Sequence, residues 1–341
     1  MLMNSKDSGL VDLHGRSINY LRLSVTDRCN LRCMYCQIRE DFSFIPHSDI
    51  LTYEECLELI RLSQHIGVSK VRLTGGEPFV RKDFEGFLAR ILSAWPDLDL
   101  RVTTNGTLIT DKIERLKDMG LKSLNISLDT LQRSKYAEIT GKDLFPQVQA
   151  ALDKALEHGL SIKLNVVAMR GVNDDELADF IDYATGHPVD VRFIECMPVG
   201  ESLHVSRQSF WSADDILRQA QELNDLEPVL DRHLTGGPAR MFNLAGGKGR
   251  IGVISPLSHH FCSQCNRLRI TSDGRLRPCL FSEREYRLKP LLRSTRLGEK
   301  HILRVLRQAG QKKPLGHTLL QDRCRDEAEV KEYRRMSSLG G

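Results

Sequence analysis

The stretch Tyr20-Leu-Arg-Leu-Ser-Val-Thr-Asp-Arg-Cys29-Asn-Leu-Arg-Cys33-Met-Tyr-Cys36 holds two readings at once. Its first five residues read as a β-strand, and its last eight place three thiols on the loop that leaves it. Five more short apolar or β-branched runs follow: Lys70–Thr74, Leu100–Thr104, Ser123–Ser127, Ile162–Val166 and Val191–Glu195. Helical patterns lie between them. Thr52 to Ile66 repeats Leu57, Leu59, Ile60 and Leu62 before Gly67 stops it, and Gln147 to His158 ends at Gly159. Strands alternating with helices predict an α/β fold with a parallel sheet and right-handed crossovers, either an open doubly wound sheet or part of a barrel. The strand ends carry Thr74, Thr103, Thr104, Asn105, Ser127, Asp129 and Asn165, and both architectures bind ligands at that end. Around Gly236, Gly237, Gly246, Gly247 and Gly249 the alternation dissolves. This predicts one domain over residues 1–245 and a smaller one over residues 246–341.

Composition narrows the class. The chain has 341 residues, 28% charged and 40% hydrophobic, with a mean hydropathy of −0.32. No apolar run is long enough for a membrane span or a signal peptide, so the expectation is a cytoplasmic protein without a membrane partner. Residues 251–341 carry 19 Lys and Arg against 9 Asp and Glu, a surplus of ten, whereas the first 250 residues carry a deficit of six. A basic C-terminal part points to an anionic ligand. No G-x-x-x-x-G-K-[ST] loop is present, so a triphosphate would be held by side-chain cations and would serve as a substrate.

The nine cysteines are unevenly placed. Cys29, Cys33 and Cys36 have C-x3-C-x2-C spacing; Cys262, Cys265 and Cys279 form a second trio. Cys56, Cys196 and Cys324 stand alone and read as small buried hydrophobes. A structural zinc prefers four protein ligands, and each trio offers three. A four-iron cluster can be held by three thiolates with one iron open to a ligand. The rival is a zinc site borrowing a distant ligand, for which His259, His260 and Cys324 are candidates at the second trio. Asn266-Arg267-Leu268-Arg269, with Arg275 and Arg277 nearby, surrounds that trio with guanidiniums suited to phosphate.

The first trio, with Gly75-Gly76-Glu77-Pro78, resembles the radical S-adenosylmethionine (SAM) superfamily. Phe261-Cys-Ser-Gln-Cys-Asn-Arg-Leu-Arg269, Thr103-Thr-Asn-Gly106, Asn125-Ile-Ser-Leu-Asp129 and the terminal Gly340-Gly341 narrow the resemblance to the GTP 3′,8-cyclase family of molybdenum-cofactor biosynthesis. That resemblance implies a partial (β/α)6 barrel with a smaller C-terminal iron–sulfur domain, two 4Fe–4S clusters, SAM, and GTP as substrate. It implies that Cys29, Cys33 and Cys36 hold the SAM-cleaving cluster while Tyr35, Gly76, Ser127 and Met197 line the SAM site. Cys262, Cys265 and Cys279 would hold the second cluster. Arg22, Arg72, Thr103, Lys163 and Arg267, Leu268 and Arg269 would bind GTP, with Arg22, Arg267, Arg269, Gly340 and Gly341 nearest the chemistry. It further implies a homodimer, an electron donor that the sequence does not identify, and transfer of the product to a cyclic pyranopterin monophosphate synthase. Strand positions support the cationic part independently: Arg22, Arg72 and Lys163 occupy runs whose other members are apolar.

Two segments depart from the family pattern. Gln37-Ile38 stands where the family has Met-Pro, and residues 311–329 match poorly. The competing readings are another radical SAM enzyme with an auxiliary cluster, such as a peptide maturase, and a metal-stabilised nucleic-acid-binding or redox-sensing module. The last leaves the polar strand ends without a use, so no nucleic-acid partner is expected.

Overall fold

The computed structural model describes residues 9–36, 44–199, 209–230 and 237–319. Six parallel strands succeed one another in chain order: β1 (Tyr20–Ser24), β2 (Lys70–Thr74), β3 (Asp99–Thr104), β4 (Ser123–Ser127), β5 (Ser161–Ala168) and β6 (Val189–Glu195). Every predicted run is present; β3, β5 and β6 begin one or two residues earlier than expected. The crossovers contain α1 (Tyr53–Gln64), α2 (Phe84–Ala94), α3 (Ile113–Asp118), α4 (Arg133–Thr140), α5 (Phe145–Glu157) and α6 (Leu177–Gly186), followed by α7 (Ala213–Leu223). Local chemistry fixes the ends of α1. Thr52 and Glu55 form a reciprocal capping box at its start, and Gly67, at φ +93°, turns the chain out of it. Cys56, Leu59, Ile60 and Leu62 then face the core.

The C-terminal part enters the same sheet from both sides. After β7 (Leu226–Pro228) and β8 (Arg240–Leu244), β9 (Arg250–Ile254) pairs parallel with β6. On the opposite flank β10 (Arg267–Ile270) pairs parallel with β1, and β11 (Arg275–Arg277) and β12 (Tyr286–Arg287) continue antiparallel. The full order is β12-β11-β10-β1-β2-β3-β4-β5-β6-β9-β8-β7. Residues beyond 245 are thus joined to the first six strands by main-chain pairing at both ends. Helices α8 (Lys289–Leu292) and α9 (Glu299–Gln311) follow β12, and α9 packs against α1. Among the described residues no helix is long and apolar enough to cross a membrane.

One face of the sheet is dry. Leu21, Leu23, Val71, Leu73, Val102, Leu124, Ile162, Leu164, Val191 and Phe193 pack there with the helices. Alternation places Arg22, Arg72, Thr103, Asn125, Asn165, Arg192 and Arg269 on the other face. Residues from all eight parallel strands line one common cavity, so the sheet curls around it. This is a partial barrel whose interior is polar.

Candidate active site

The cavity has a volume of about 320 Å³ and is lined by both cysteine trios. The first trio is placed by the loop after β1. Arg32 N–H donates to the Thr140 carbonyl and Met34 N–H to the Ile139 carbonyl, both at 2.9 Å, which pins the loop to the end of α4. From below, Asn105 Nδ2 reaches Asn30 Oδ1 at 2.9 Å and Cys29 Sγ at 3.8 Å. Glu77 is the buried hub beneath them. It accepts from Thr104 Oγ1 at 2.8 Å, Asn105 N–H at 2.6 Å and Phe79 N–H at 3.1 Å. Burial raises its carboxyl to about 7 despite these donors.

Gly75 and Gly76 are required by space. A Cβ on Gly75 would lie 2.5 Å from the Thr26 carbonyl oxygen, and one on Gly76 only 2.1 Å from that of Arg28. The Gly-Gly-Glu segment therefore packs main chain to main chain against the residues leading into Cys29. Tyr35, Gly76, Ser127 and Met197 all line the cavity. Tyr35 donates to Asp129 Oδ2 at 2.6 Å, and Val167 N–H donates to Asp129 Oδ1 at 2.8 Å. Burial, then Asp129, pushes the Tyr35 phenol well above its ordinary value, and burial raises Asp129 itself to about 6.

The opposite wall is cationic. Register sets Arg22 beside both Arg72 and Arg269. Like charges directly opposite one another destabilise a sheet, and here Arg269 is buried while Arg22 and Arg72 are half-buried. Burial, followed by repulsion from Arg269, pulls Arg22 well below the usual guanidinium range. Burial and Arg267 bring Arg269 to about 10, and burial brings Arg192 to about 10 although Asp190 opposes it. Arg72 donates through Nε to Tyr20 Oη at 2.5 Å and through Nη1 to Thr103 Oγ1 at 3.1 Å. Burial pushes the Tyr20 phenol up, but Arg72 and Arg22 outweigh it and bring it to about 8. These cations crowd one another, and an anionic ligand set against them would relieve the repulsion.

Two expected nucleotide contacts stand elsewhere. Leu268 is 1% exposed with its side chain in the dry core, because Arg267 and Arg269 take the inward positions of β10. Lys163 sits opposite Asn125 and Asp190, outside the cavity lining. Burial, then Arg192 and Arg101, lowers it to about 7. Sequence reasoning passed over Arg192 and Lys313, which line the cavity together with the expected strand-end Asn165. Arg192 had the signal already used for Arg22, a cation inside an apolar run. Gly340, Gly341, Cys324 and the Gln37-Ile38 departure lie outside the described residues.

The donor sets fit iron–sulfur clusters. Among the described residues no three His, Cys, Asp or Glu side chains converge tightly enough to wrap one metal ion. Each trio nevertheless has thiols close enough to affect one another's ionisation. That spacing suits a cluster with a separate iron for each thiolate better than a single zinc. His259 is paired with Asp214 at 2.6 Å, while His260 stacks on His317 and contacts the Pro256 carbonyl. Cys265 is the readiest thiolate: burial opposes ionisation, but Arg267 and Lys313 bring it to about 6. Asn125 Oδ1, buried on the cavity wall, accepts from no described group and is available to a ligand N–H.

Residues 23–184 match the radical SAM superfamily and residues 189–319 match Molybdenum Cofactor Synthesis C. A GTP 3′,8-cyclase of Alkaliphilus oremlandii is 41% identical over 97% of this chain and 99% of its own length. Another, of Moorella thermoacetica, is 42% identical over 97% and 99%. The chain belongs to the GTP 3′,8-cyclase family. Solved structures agree on the family's fold. SuiB of Streptococcus suis superposes with a TM-score of 0.62 at 18% identity, over 90% of this chain and 69% of that one. anSMEcpe with bound AdoMet gives 0.54 at 17% identity, over 93% of each. The chain is a radical SAM enzyme of this family, and its cofactors are SAM and iron–sulfur clusters.

Proposed function

We propose that the chain converts GTP to 3′,8-cyclo-7,8-dihydro-GTP in molybdenum-cofactor biosynthesis, using the residues of this one cavity. The observation that carries the assignment is the meeting of two cysteine trios and a wall of closely set arginines inside one barrel. Cys29, Cys33 and Cys36 would hold a four-iron cluster that, with SAM, would supply the radical chemistry needed to join C3′ of GTP to C8. The remaining work belongs to the protein. Arg22, Arg72, Arg267 and Arg269 receive the triphosphate, relieving their mutual repulsion as they bind. Thr103 keeps Arg72 aimed, and Tyr35, Gly76, Ser127 and Met197 shape the SAM side. Cys262, Cys265 and Cys279 would hold the second cluster. The barrel walls keep water from the radical.

Gly340 and Gly341 are further candidates in this reading, and activity that survives their deletion refutes that part. A homodimer, a separate electron donor and hand-over to a cyclic pyranopterin monophosphate synthase complete the assignment. The test is an anaerobic assay of reconstituted protein with dithionite, SAM and GTP, scoring 5′-deoxyadenosine and cyclised nucleotide. Both products are expected, the second only with GTP. Deoxyadenosine alone from protein carrying both clusters overturns the substrate.

A further inference from the structure

Asp12 and Arg16 lie on a tight loop before β1, outside the cavity, and are 6% and 4% exposed. Asp12 Oδ2 receives Arg16 Nε at 2.5 Å, and Asp12 Oδ1 receives the Arg16 backbone N–H at 2.9 Å. The rest of the guanidinium spans two distant segments. Nη1 donates to the Cys262 carbonyl at 2.7 Å, Nη2 donates to the Lys313 carbonyl at 2.6 Å, and both reach the Pro314 carbonyl at 3.4 and 3.3 Å. One side chain therefore sets the spacing between the Cys262 loop and the turn after α9.

That turn bears on the second cysteine trio. Lys313, 2% exposed, donates from Nζ to the Pro278 carbonyl at 2.5 Å, next to Cys279. The backbone N–H groups of Gly316 and His317 face the Cys262 sulfur. A Cβ on Gly316 would lie 2.8 Å from Cys279 Sγ and 3.7 Å from Cys262 Sγ, so the turn lies directly on the thiols. Hydrogen bonds and charges around the sulfurs are what tune an iron–sulfur centre and secure its ligands.

We propose that Arg16, oriented by Asp12, is a positioning residue for the second cysteine trio, holding residues 313–317 against the sulfurs of Cys262, Cys265 and Cys279. This rests on the reading that the second trio holds a cluster. A lysine there cannot span both carbonyls while also pairing with Asp12, because a single ammonium lacks the planar fork.

The test uses the full-length chain, reconstituted anaerobically, as wild type, R16K, R16Q and D12N. Iron and sulfide per chain, the electron paramagnetic resonance of the reduced protein and GTP-independent SAM cleavage are measured together. In R16K and R16Q, iron should fall from about eight toward about four per chain, or the second centre's resonance and potential should shift. SAM cleavage, which reports the first trio, should stay within about twofold. D12N should show a smaller change in the same direction. Wild-type iron, resonance and potential in both folded R16K and D12N overturn the proposal, and parallel loss of both centres does so too by marking Arg16 as a general fold determinant. A C262A/C265A/C279A variant that keeps all its iron instead refutes the cluster reading on which the proposal stands.

Discussion

Replacing Gly76 with alanine isolates the geometric demand at the mouth of the barrel. The added Cβ would sit 2.1 Å from the Arg28 carbonyl oxygen and 2.4 Å from its carbon, where real Cβ contacts stay beyond 3.0 Å. The neighbour is main chain and cannot swing aside, so the two segments must separate by about 1 Å, an overpacking cost of about 1–3 kcal/mol. Two backbone bonds cross that gap, Gly76 N–H to the Thr26 carbonyl at 2.8 Å and Glu77 N–H to the Arg28 carbonyl at 2.7 Å. Weakening them adds about 1 kcal/mol, for a total of about 2–4 kcal/mol. A domain with a typical 5–15 kcal/mol of stability still folds. Urea denaturation of the metal-free chain should show that loss, and reconstituted protein should cleave SAM about 100-fold more slowly, because Cys29 follows Arg28 and moves with it. Gly186 is the control: a Cβ there meets nothing within 4 Å, so G186A should hold stability within about 1 kcal/mol. A G76A chain that matches wild type within about 0.5 kcal/mol and cleaves SAM normally would refute the argument that close backbone approach places the first trio.

Three further outcomes follow from the interior. Lys163 is lowered to about 7 in the folded chain, so at pH 8 it is mostly neutral and an arriving triphosphate should raise its affinity for a proton. Calorimetry of GTP binding in buffers of different ionisation enthalpy should register proton uptake at pH 8, little below pH 6, and less in K163M; Tyr20, near 8, adds a component that Y20F removes. Charge-neutral R267Q or R269Q should abolish the cyclised nucleotide while leaving GTP-independent SAM cleavage, whereas loss of both would make these arginines structural. Glu195 accepts from Ala213 N–H at 3.0 Å, Leu257 N–H at 2.9 Å and Ser258 N–H at 3.1 Å, and Gln turns an amide donor toward those donors. E195Q should therefore cost about 1–3 kcal/mol in thermal or urea unfolding, and an unchanged midpoint would count against its role in anchoring the 256–258 turn.

The six strands were legible because each is a short apolar run whose period of two survives an inward cation or amide. The same rule, applied strictly, separates Leu268 from its neighbours: with Arg267 and Arg269 facing inward, the residue between them must face the helices, where it is 1% exposed. Motif resemblance treated the three as a unit and lost that distinction. Lys163 lies two residues before Asn165, which does line the cavity, and is level with Asn125, which also does; its own buried side chain is not part of the lining. Arg192 was legible and overlooked, since Val191-Arg-Phe repeats the pattern of Leu21-Arg-Leu. Asp12 and Arg16 were beyond sequence reading. Their partners Cys262, Lys313 and Pro314 lie about 250 to 300 residues downstream, and no local period encodes such a contact.

The same distance in sequence hides how the two cysteine trios come to share a cavity. A composition shift near residue 245 suggests a separate module docked on a barrel, with the angle between them left to side-chain packing. Strand pairing instead fixes it. Residues Tyr20 to Leu23 of β1 lie opposite Arg267 to Ile270 of β10, with Asn266 one residue from Cys265. On the other side of β1, Tyr20 to Ser24 lie opposite Lys70 to Thr74, directly before Gly75 and Gly76. One strand thus sets the register of the second trio on one edge and of the Gly-Gly segment on the other, while its own end runs into the first trio. A slip of one residue between β1 and β10 would turn Arg267 and Arg269 into the apolar core and Leu268 into the cavity. The burial of Leu21, Leu23, Leu268 and Ile270 forbids that slip. The hydrophobic face of the sheet therefore fixes the positions of the charges on its polar face, and with them the placement of the two sulfur sites about one nucleotide-sized space.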